Sequence, residues 1–276
     1  MKTLIAGRWI DLEESIPVTN KYTGQVVDEV PRCGEREARI ALESAVKGAR
    51  EIRSLPAYKR SEILEEVSDK LKRKREELAK LIAVEAGKPI KYSRKEAYRA
   101  YITIKWSAEE AKRITGETIP FDAEPRGVNR FGYWLRVPVG VVLAITPFND
   151  PLNLVCHKLG PGFAAGNSII LKPASQTPLS ALKLAEFFVE AGLPENALNV
   201  VTGPGGVVGP VLVRDERVRL ITFTGGVETG KWIAKNAGVK KLCMELGSNC
   251  PVIVMNDAPL DLAVECVVDA CFNCQG

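Results

Sequence analysis

Between Pro138 and Pro178 two short apolar runs flank a helical segment, and this pattern constrains the fold more than any other part of the chain. Val139 to Ile145 is a β-branched run that Thr146-Pro147 breaks. Leu152 to Ala165 can then continue as a helix until Gly166-Asn167 ends it. A second run, Ser168 to Leu171, stops at Lys172-Pro173. Strand, crossover helix and strand predict parallel pairing, with a ligand beyond the carboxyl ends of the strands. Asn149 and Lys172 both stand at those ends.

The alternation continues downstream. Thr177 can cap a helix whose first position is Pro178 and which Gly192 closes after Ala191. Ala197 to Thr202, Val218 to Thr224 and Val239 to Leu246 read as further strands. With the first two, five parallel strands predict an α/β fold built on a doubly wound sheet. Upstream, Leu4 to Ile10 and Gln25 to Val30 suggest a small amino-terminal hairpin around Tyr22-Thr23-Gly24. Glu35 to Ile52, Arg60 to Val84 and Lys91 to Ala111 have helical periodicity and would cover the sheet. Thr118 to Phe121 and Phe131 to Val137 predict an antiparallel hairpin arm, whose alternating side chains imply one buried face.

Composition narrows the function classes. Hydrophobic residues at 46% and charged residues at 26% are ordinary for a globular protein, and a net charge of +4 over 276 residues gives no reason to expect nucleic acid as a partner. The basic run Lys70 to Arg75 lies between the stripe Leu64, Val67, Leu71 and Leu78, so it reads as a solvated helix face. No apolar run approaches the ~20 residues that span a bilayer, and Met1 to Asp11 lacks a signal-peptide core, so no membrane contact and a cytoplasmic location are expected. Seven cysteines without a secretory signal suggest reduced thiols. Cys271 and Cys274 form a C-x-x-C, but with His157 the only histidine no metal site is expected.

Several stretches suggest chemistry. Gly203-Pro-Gly205-Gly206-Val-Val-Gly209 misses the dinucleotide fingerprint because Val208 stands where the third glycine belongs. Phe223-Thr224-Gly225-Gly226 precedes a helix, and free N–H groups there, with no Cβ at two positions, can admit an anion. If Leu152 to Ala165 is helical, Asp150, Leu154 and His157 follow Asn149 near one face.

Pro138, Gly140, Val141, Pro147, Phe148, Asn149, Pro151, Gly166, Asn167, Lys172, Pro173, Thr177 and Pro178 together follow a pattern that resembles the aldehyde dehydrogenase superfamily. Among its branches the chain looks most similar to the lactaldehyde and related small-aldehyde enzymes. The resemblance runs the length of the chain and implies an NAD(P)-dependent oxidation of a small aldehyde. It implies that Asn149 donates to the oxyanion and that Glu245, in CMELGSNCP, is the general base. On the cofactor side it implies Thr146, Pro147, Phe148, Lys172, Ser175, Gly205, Phe223, Gly225, Gly226, Leu246 and Gly247. NAD-preferring members carry a glutamate where this chain has Ser175, so NADP, or use of both nucleotides, is expected. Asp150, Leu154 and His157 would line a polar aldehyde entrance.

The resemblance divides the chain into a discontinuous cofactor domain, 1–117 and 138–247, an oligomerisation hairpin, 118–137, and the start of a catalytic domain, 248–276. A homodimer or homotetramer is implied for the complete protein. The family pattern continues as F-x-x-x-G-Q-x-C, which Phe272 and Gly276 enter at the first and fifth positions. The nucleophile is thus expected three residues past Gly276, Cys274 reads as a bystander, and the chain reads as an amino-terminal fragment inactive alone. The alternatives are a non-catalytic nucleotide-binding or oligomer-modulating module and, among enzymes, a coenzyme A-dependent acylating dehydrogenase.

Overall fold

The computed structural model describes residues 1–274, so the Gly276 position of the Phe272 motif lies outside the described residues. The chain begins with two antiparallel pairs, β1 (Thr3–Ile5) with β2 (Arg8–Ile10) and β3 (Ser15–Thr19) with β4 (Val26–Pro31). Leu4 to Ile10 is therefore not one strand. Ala6 and Gly7 both take positive φ, 51° and 71°, and turn it back on itself. The partner of β4 is β3, which the sequence disguised by placing Pro17 inside it.

Four helices follow: α1 (Glu35–Ser54), α2 (Ala57–Arg73), α3 (Arg75–Ala86) and α4 (Ile90–Ala111). The helix expected from Arg60 to Val84 is two helices, broken at Lys74, where ψ is 12°. The apolar stripe survives the break, because Leu64, Val67, Leu71, Leu78 and Ile82 are all fully buried. The basic run is a solvated face held by ion pairs such as Lys70–Glu190 at 2.8 Å and Lys74–Glu77 at 2.9 Å.

The arm is shorter than its sequence suggested. β5 (Glu117–Thr118) and β6 (Tyr133–Trp134) share two ladder pairs, and two 3-10 turns fill the connection. Neither face is buried in the single chain: Phe131 is 81% exposed, and Tyr133, Leu135 and Val137 are exposed as well. Among the described residues this short ribbon is paired to no other sheet.

The remaining chain builds the main sheet: β7 (Val141–Ile145), α5 (Asn153–Ala164), β8 (Ser168–Lys172), α6 (Leu179–Glu190), β9 (Leu198–Val200), α7 (Gly205–Arg214), β10 (Val218–Gly225), α8 (Val227–Asn236), β11 (Lys241–Leu246) and α9 (Leu260–Phe272). The five strands are parallel in the order β11-β10-β7-β8-β9. Val142, Ala144, Ile169 and Leu171 face a core shared with α2 to α6, whereas Val141, Leu143, Ile170 and Ile221 face one shared with α1, α7 and α8. The winding reverses between β7 and β10, and that crevice is where a doubly wound sheet opens to ligands.

Thr177 does not cap α6; its hydroxyl donates to the Phe148 carbonyl at 3.3 Å. The cap comes from α3. Glu85 accepts from the Leu179 and Ser180 amides at 2.8 and 2.9 Å and from the Ser180 hydroxyl. Burial nevertheless pushes its carboxyl from an ordinary 4.5 up to about 7, against those donors. The folded value lies above the unfolded one, so the folded chain takes up a proton across that window and loses stability as pH rises through it. Between pH 5 and 8 the melting temperature of wild type should fall more than that of Glu85→Gln. Parallel curves would show that the donors keep the carboxylate ionised throughout.

Candidate functional site

Parallel pairing brings the carboxyl ends of the strands to one edge. Ile145 lies beside Lys172 on one side and Phe223 on the other, Glu245 beside Thr224, and Leu246 beside Gly225. The Thr146 amide donates to the Lys172 carbonyl at 3.2 Å. Lys172 is buried, and its ammonium donates to the Pro173 carbonyl at 2.8 Å and to the Ser175 hydroxyl at 3.2 Å. Ser175 in turn donates to the Gly203 carbonyl at 2.9 Å, which ties the end of β8 to the glycine-rich turn before α7. Burial lowers the Lys172 pKa to about 8, opposed by Cys33.

A cleft of about 570 Å³ opens on this edge between α7 and α8. Ile145 and Lys172 form its floor, Gly205, Gly206 and Gly209 one wall, and Trp232 part of the other. A Cβ built at Gly205, Gly206, Gly209 or Gly226 meets nothing within 4 Å, so protein packing does not require these glycines. What they leave open is room for a ligand at the amino ends of α7 and α8, neither of which has a side-chain cap. An anionic group with a flat apolar portion fits such a cleft.

Of the cofactor-side residues expected from sequence, Lys172 and Gly205 line this cleft, and Ser175 reaches it through Lys172. Thr146, Pro147, Phe223, Gly225 and Gly226 follow or end the strands on the same edge without lining it. Phe148 belongs elsewhere, in a depression with Tyr22, Gly87 and Thr177. Leu246 packs over Gly230 of α8, where a Cβ would come within 2.5 Å of it, and Gly247 lies beyond, its Cβ position 3.9 Å from Val227.

Asn149, Asp150 and Leu154 line a second cavity, of about 370 Å³, together with Lys95, Arg99 and Cys274. The Asn149 carbonyl accepts from the Cys274 thiol at 3.6 Å. Beneath it lies a charge cluster that sequence reasoning missed. Lys88 donates to Glu96 at 2.7 Å and to Asp150, and all three side chains are at most 9% exposed. Glu96 also accepts from the Leu152 and Asn153 amides at 2.9 and 3.2 Å, so α4 caps α5 directly after Asn149. Burial and the facing Asp150 push Glu96 up to about 7. Burial would raise Asp150 too, but Glu96, Lys88 and Arg99 outweigh it and hold that carboxyl below its usual range.

Of the three residues expected at a polar entrance, Asp150 and Leu154 line the cavity with Asn149, and His157 does not. Asp150 is buried and turned toward Lys88, with Arg99 3.6 Å away. His157 lines a neighbouring depression with Trp106 and Pro161, and burial lowers its pKa. Leu154 alone of the three lines the cavity with Asn149 as an uncharged, unpaired side chain.

Glu245 lies near the end of β11, beside Thr224. β11 is an edge strand of the sheet, exposed over most of its length. The charge of buried Lys158, from α5, reaches Glu245. Its ammonium donates to Thr222 and Thr224 at 2.9 and 3.0 Å, and burial lowers its pKa to about 8, opposed by Cys243 and Glu245. A lysine inside the apolar run of α5 was the signal in the sequence.

The two cavities lie along the carboxyl end of one strand, a glycine-lined cleft beside a charged pocket. The aldehyde dehydrogenase family model matches residues 9–276, and the chain belongs to that family. It is 48% identical over 270 residues to aspartate-semialdehyde dehydrogenase 1 of Pseudomonas canavaninivorans, covering 96% of this chain and 57% of that enzyme. It is 45% identical over 272 residues to 3-sulfolactaldehyde dehydrogenase of Priestia megaterium, covering 99% and 57%. The crystal structure of NADP-dependent glyceraldehyde-3-phosphate dehydrogenase from Bacillus halodurans, complexed with NADP, superimposes with a TM-score of 0.94 at 35% identity, over 98% of this chain and 58% of that one. The chain thus spans little more than half the length of these relatives.

Proposed function

We propose that the protein containing this chain oxidises a small polar aldehyde to the carboxylic acid with NADP or NAD. One observation carries the reading: the carboxyl end of β7 serves both cavities, Ile145 lining the cleft and Asn149 the reaction pocket. A nucleotide in the first and an aldehyde in the second would meet across a few residues of one chain segment. The relatives named for small aldehydes with further polar groups support the substrate class.

Gly205, Gly206 and Gly226 would admit the nucleotide's phosphates at the helix starts, and Lys172 with Ser175 would hold its adenosine ribose. A bound nicotinamide would supply the hydride acceptor. Asn149 donates its side-chain amide to the oxygen that gains charge at the aldehyde carbon. After hydride transfer, Glu245 would take a proton from the water that attacks the acyl carbon, so that the group of the whole protein holding that carbon leaves and the acid is released. The cofactor domain would comprise 1–117 and 138–247, and the exposed apolar ribbon within 118–137 would pair subunits in an oligomer.

The test is aldehyde-dependent formation of reduced nucleotide by the full-length protein that contains this chain. NADP should be used at least as well as NAD. Ser175→Glu should move the preference toward NAD by about tenfold or more, because a carboxylate next to the ribose repels a 2′-phosphate. A wild-type preference for NAD of that size would overturn the NADP assignment, and the absence of any aldehyde-dependent reduction would overturn the function.

A further inference from the structure

We infer that Asp269 is a positioning residue, which through Tyr92, Lys91 and Lys95 clasps α9 onto α4 and so fixes the wall that α9 gives the reaction cavity. Its kinetic consequence rests on the dehydrogenase reading above; the clasp itself does not. α9 buries no residue, and its apolar side chains Leu260, Leu262, Val264, Val268 and Phe272 are exposed, so packing does little to hold it against the body of the chain. One carboxylate joins it to α4. Asp269 accepts from the Tyr92 hydroxyl at 2.7 Å and from the Lys91 ammonium at 3.4 Å, with the Lys95 ammonium 3.9 Å away. Both ammonium groups also lie 5.1 Å from the centroid of the Tyr92 ring, so the three α4 side chains form one cluster around the acceptor.

The bond from Tyr92 is the strong member, because a neutral hydroxyl donates to a charged acceptor. That hydroxyl, with Lys95 and Lys91, holds the Asp269 carboxyl below its usual range, and the carboxylate raises the Tyr92 phenol, so at neutral pH the donor keeps its proton and the acceptor its charge. The lysine pairs are solvated, and each alone contributes little. Losing Asp269 removes all three contacts, whereas losing the Tyr92 hydroxyl removes the shortest. Asn273 stands one helical turn beyond Asp269, and both line the cavity with Asn149 and Cys274. The Cys274 thiol, next along the chain, donates to the Asn149 carbonyl at 3.6 Å. The clasp thus reaches the oxyanion donor through a single turn, and a wall held in place keeps water from competing for the charge that Asn149 must stabilise. Among the described residues no α9 side chain lines the cleft between α7 and α8, so the clasp serves the aldehyde side alone.

The experiment makes Tyr92→Phe, Asp269→Ala and the double variant in the full-length protein, with lactaldehyde as the substrate. Amide hydrogen exchange across 260–274 should be about fivefold or more faster in Asp269→Ala, and faster by a smaller factor in Tyr92→Phe. In Asp269→Ala kcat/KM for lactaldehyde should fall about tenfold, while KM for NADP stays within about twofold of wild type. The double variant should be no slower than Asp269→Ala, since both changes act through one bond. Asp269→Asn should recover part of the loss, because an acceptor for the Tyr92 hydroxyl returns without the charge. Exchange within about twofold of wild type in Asp269→Ala, or single effects that multiply in the double variant, would overturn the inference. Faster exchange with kcat/KM unmoved would also overturn it, since α9 would then be tied without positioning anything. If wild type oxidises no small aldehyde yet exchange depends on Asp269, the dehydrogenase reading fails and the clasp stands. If lactaldehyde is oxidised and exchange ignores Asp269, the clasp fails and the dehydrogenase stands.

Discussion

Lys88→Met should destabilise the fold by about 3–5 kcal/mol, the cost of removing one partner from a buried ion pair. Lys88 is the cation at the centre of the cluster, 3% exposed, between Glu96 and Asp150 at 1% and 9%. Without it the two carboxylates face each other, and Arg99 at 3.6 Å, largely solvated, is a poor replacement. Glu96 would keep its bonds to the Leu152 and Asn153 amides, so the strain falls on Asp150, next to Asn149. The variant's urea midpoint should drop with little change in slope. Acid should recover part of the loss, because a proton on one carboxylate removes the repulsion that Lys88 had screened; the variant should be closest to wild type near pH 5. A loss below about 1 kcal/mol, or one independent of pH, would mean that water enters and solvates the pair.

The same cluster shows where sequence reading stops. The central strands were legible because a strand buried on both faces reads as an apolar run, as Val141–Ile145 and the Ile169 to Leu171 segment of Ser168–Lys172 do. The edge role of β11 was not legible, since which strand ends a sheet depends on pairing order and not on composition. Nothing in Lys70 to Arg75 marks the break at Lys74, because every residue there is a good helix former. Glu85 and Glu96 were missed for a different reason. Each occupies a buried position in a helix stripe of apolar or small residues, Glu85 after Leu78 and Ile82, and Glu96 among Ser93, Ala97 and Ala100. A carboxylate is tolerated there only because the amino end of another helix, far along the chain, needs an acceptor, and periodicity within one helix carries no information about that partner. Asn149 and Lys172 were legible as ends of strands, whereas their neighbours Arg99 and Lys158 reach the site from helices by tertiary packing alone.

Asn149→Ala should lower kcat of the full-length protein by about 10²–10³-fold, the loss typical of one oxyanion donor, and should leave KM within a few-fold of wild type. The difference between the two parameters is the argument. A side chain that bound the ground-state aldehyde as well as the transition state would raise KM, whereas one aimed at the oxygen as charge develops changes kcat. The fold restrains the backbone at Asn149 from both sides. The Phe148 carbonyl accepts from Thr177, the Asn149 carbonyl accepts from the Cys274 thiol, and Asp150 is pinned by Lys88. Removing the amide therefore should not displace the segment, and the melting temperature should move by only a degree or two, as for about 0.5 kcal/mol. Asn149→Asp is the sharper control, because it keeps the shape and replaces a donor with a negative charge where negative charge must form. It should be at least as inactive as the alanine variant, and more so as pH rises and the new carboxyl ionises. If Asn149→Asp retained wild-type kcat, the oxygen of the aldehyde would have to be stabilised elsewhere, and the pocket beside Lys95 and Arg99 would lose its place as the reaction site.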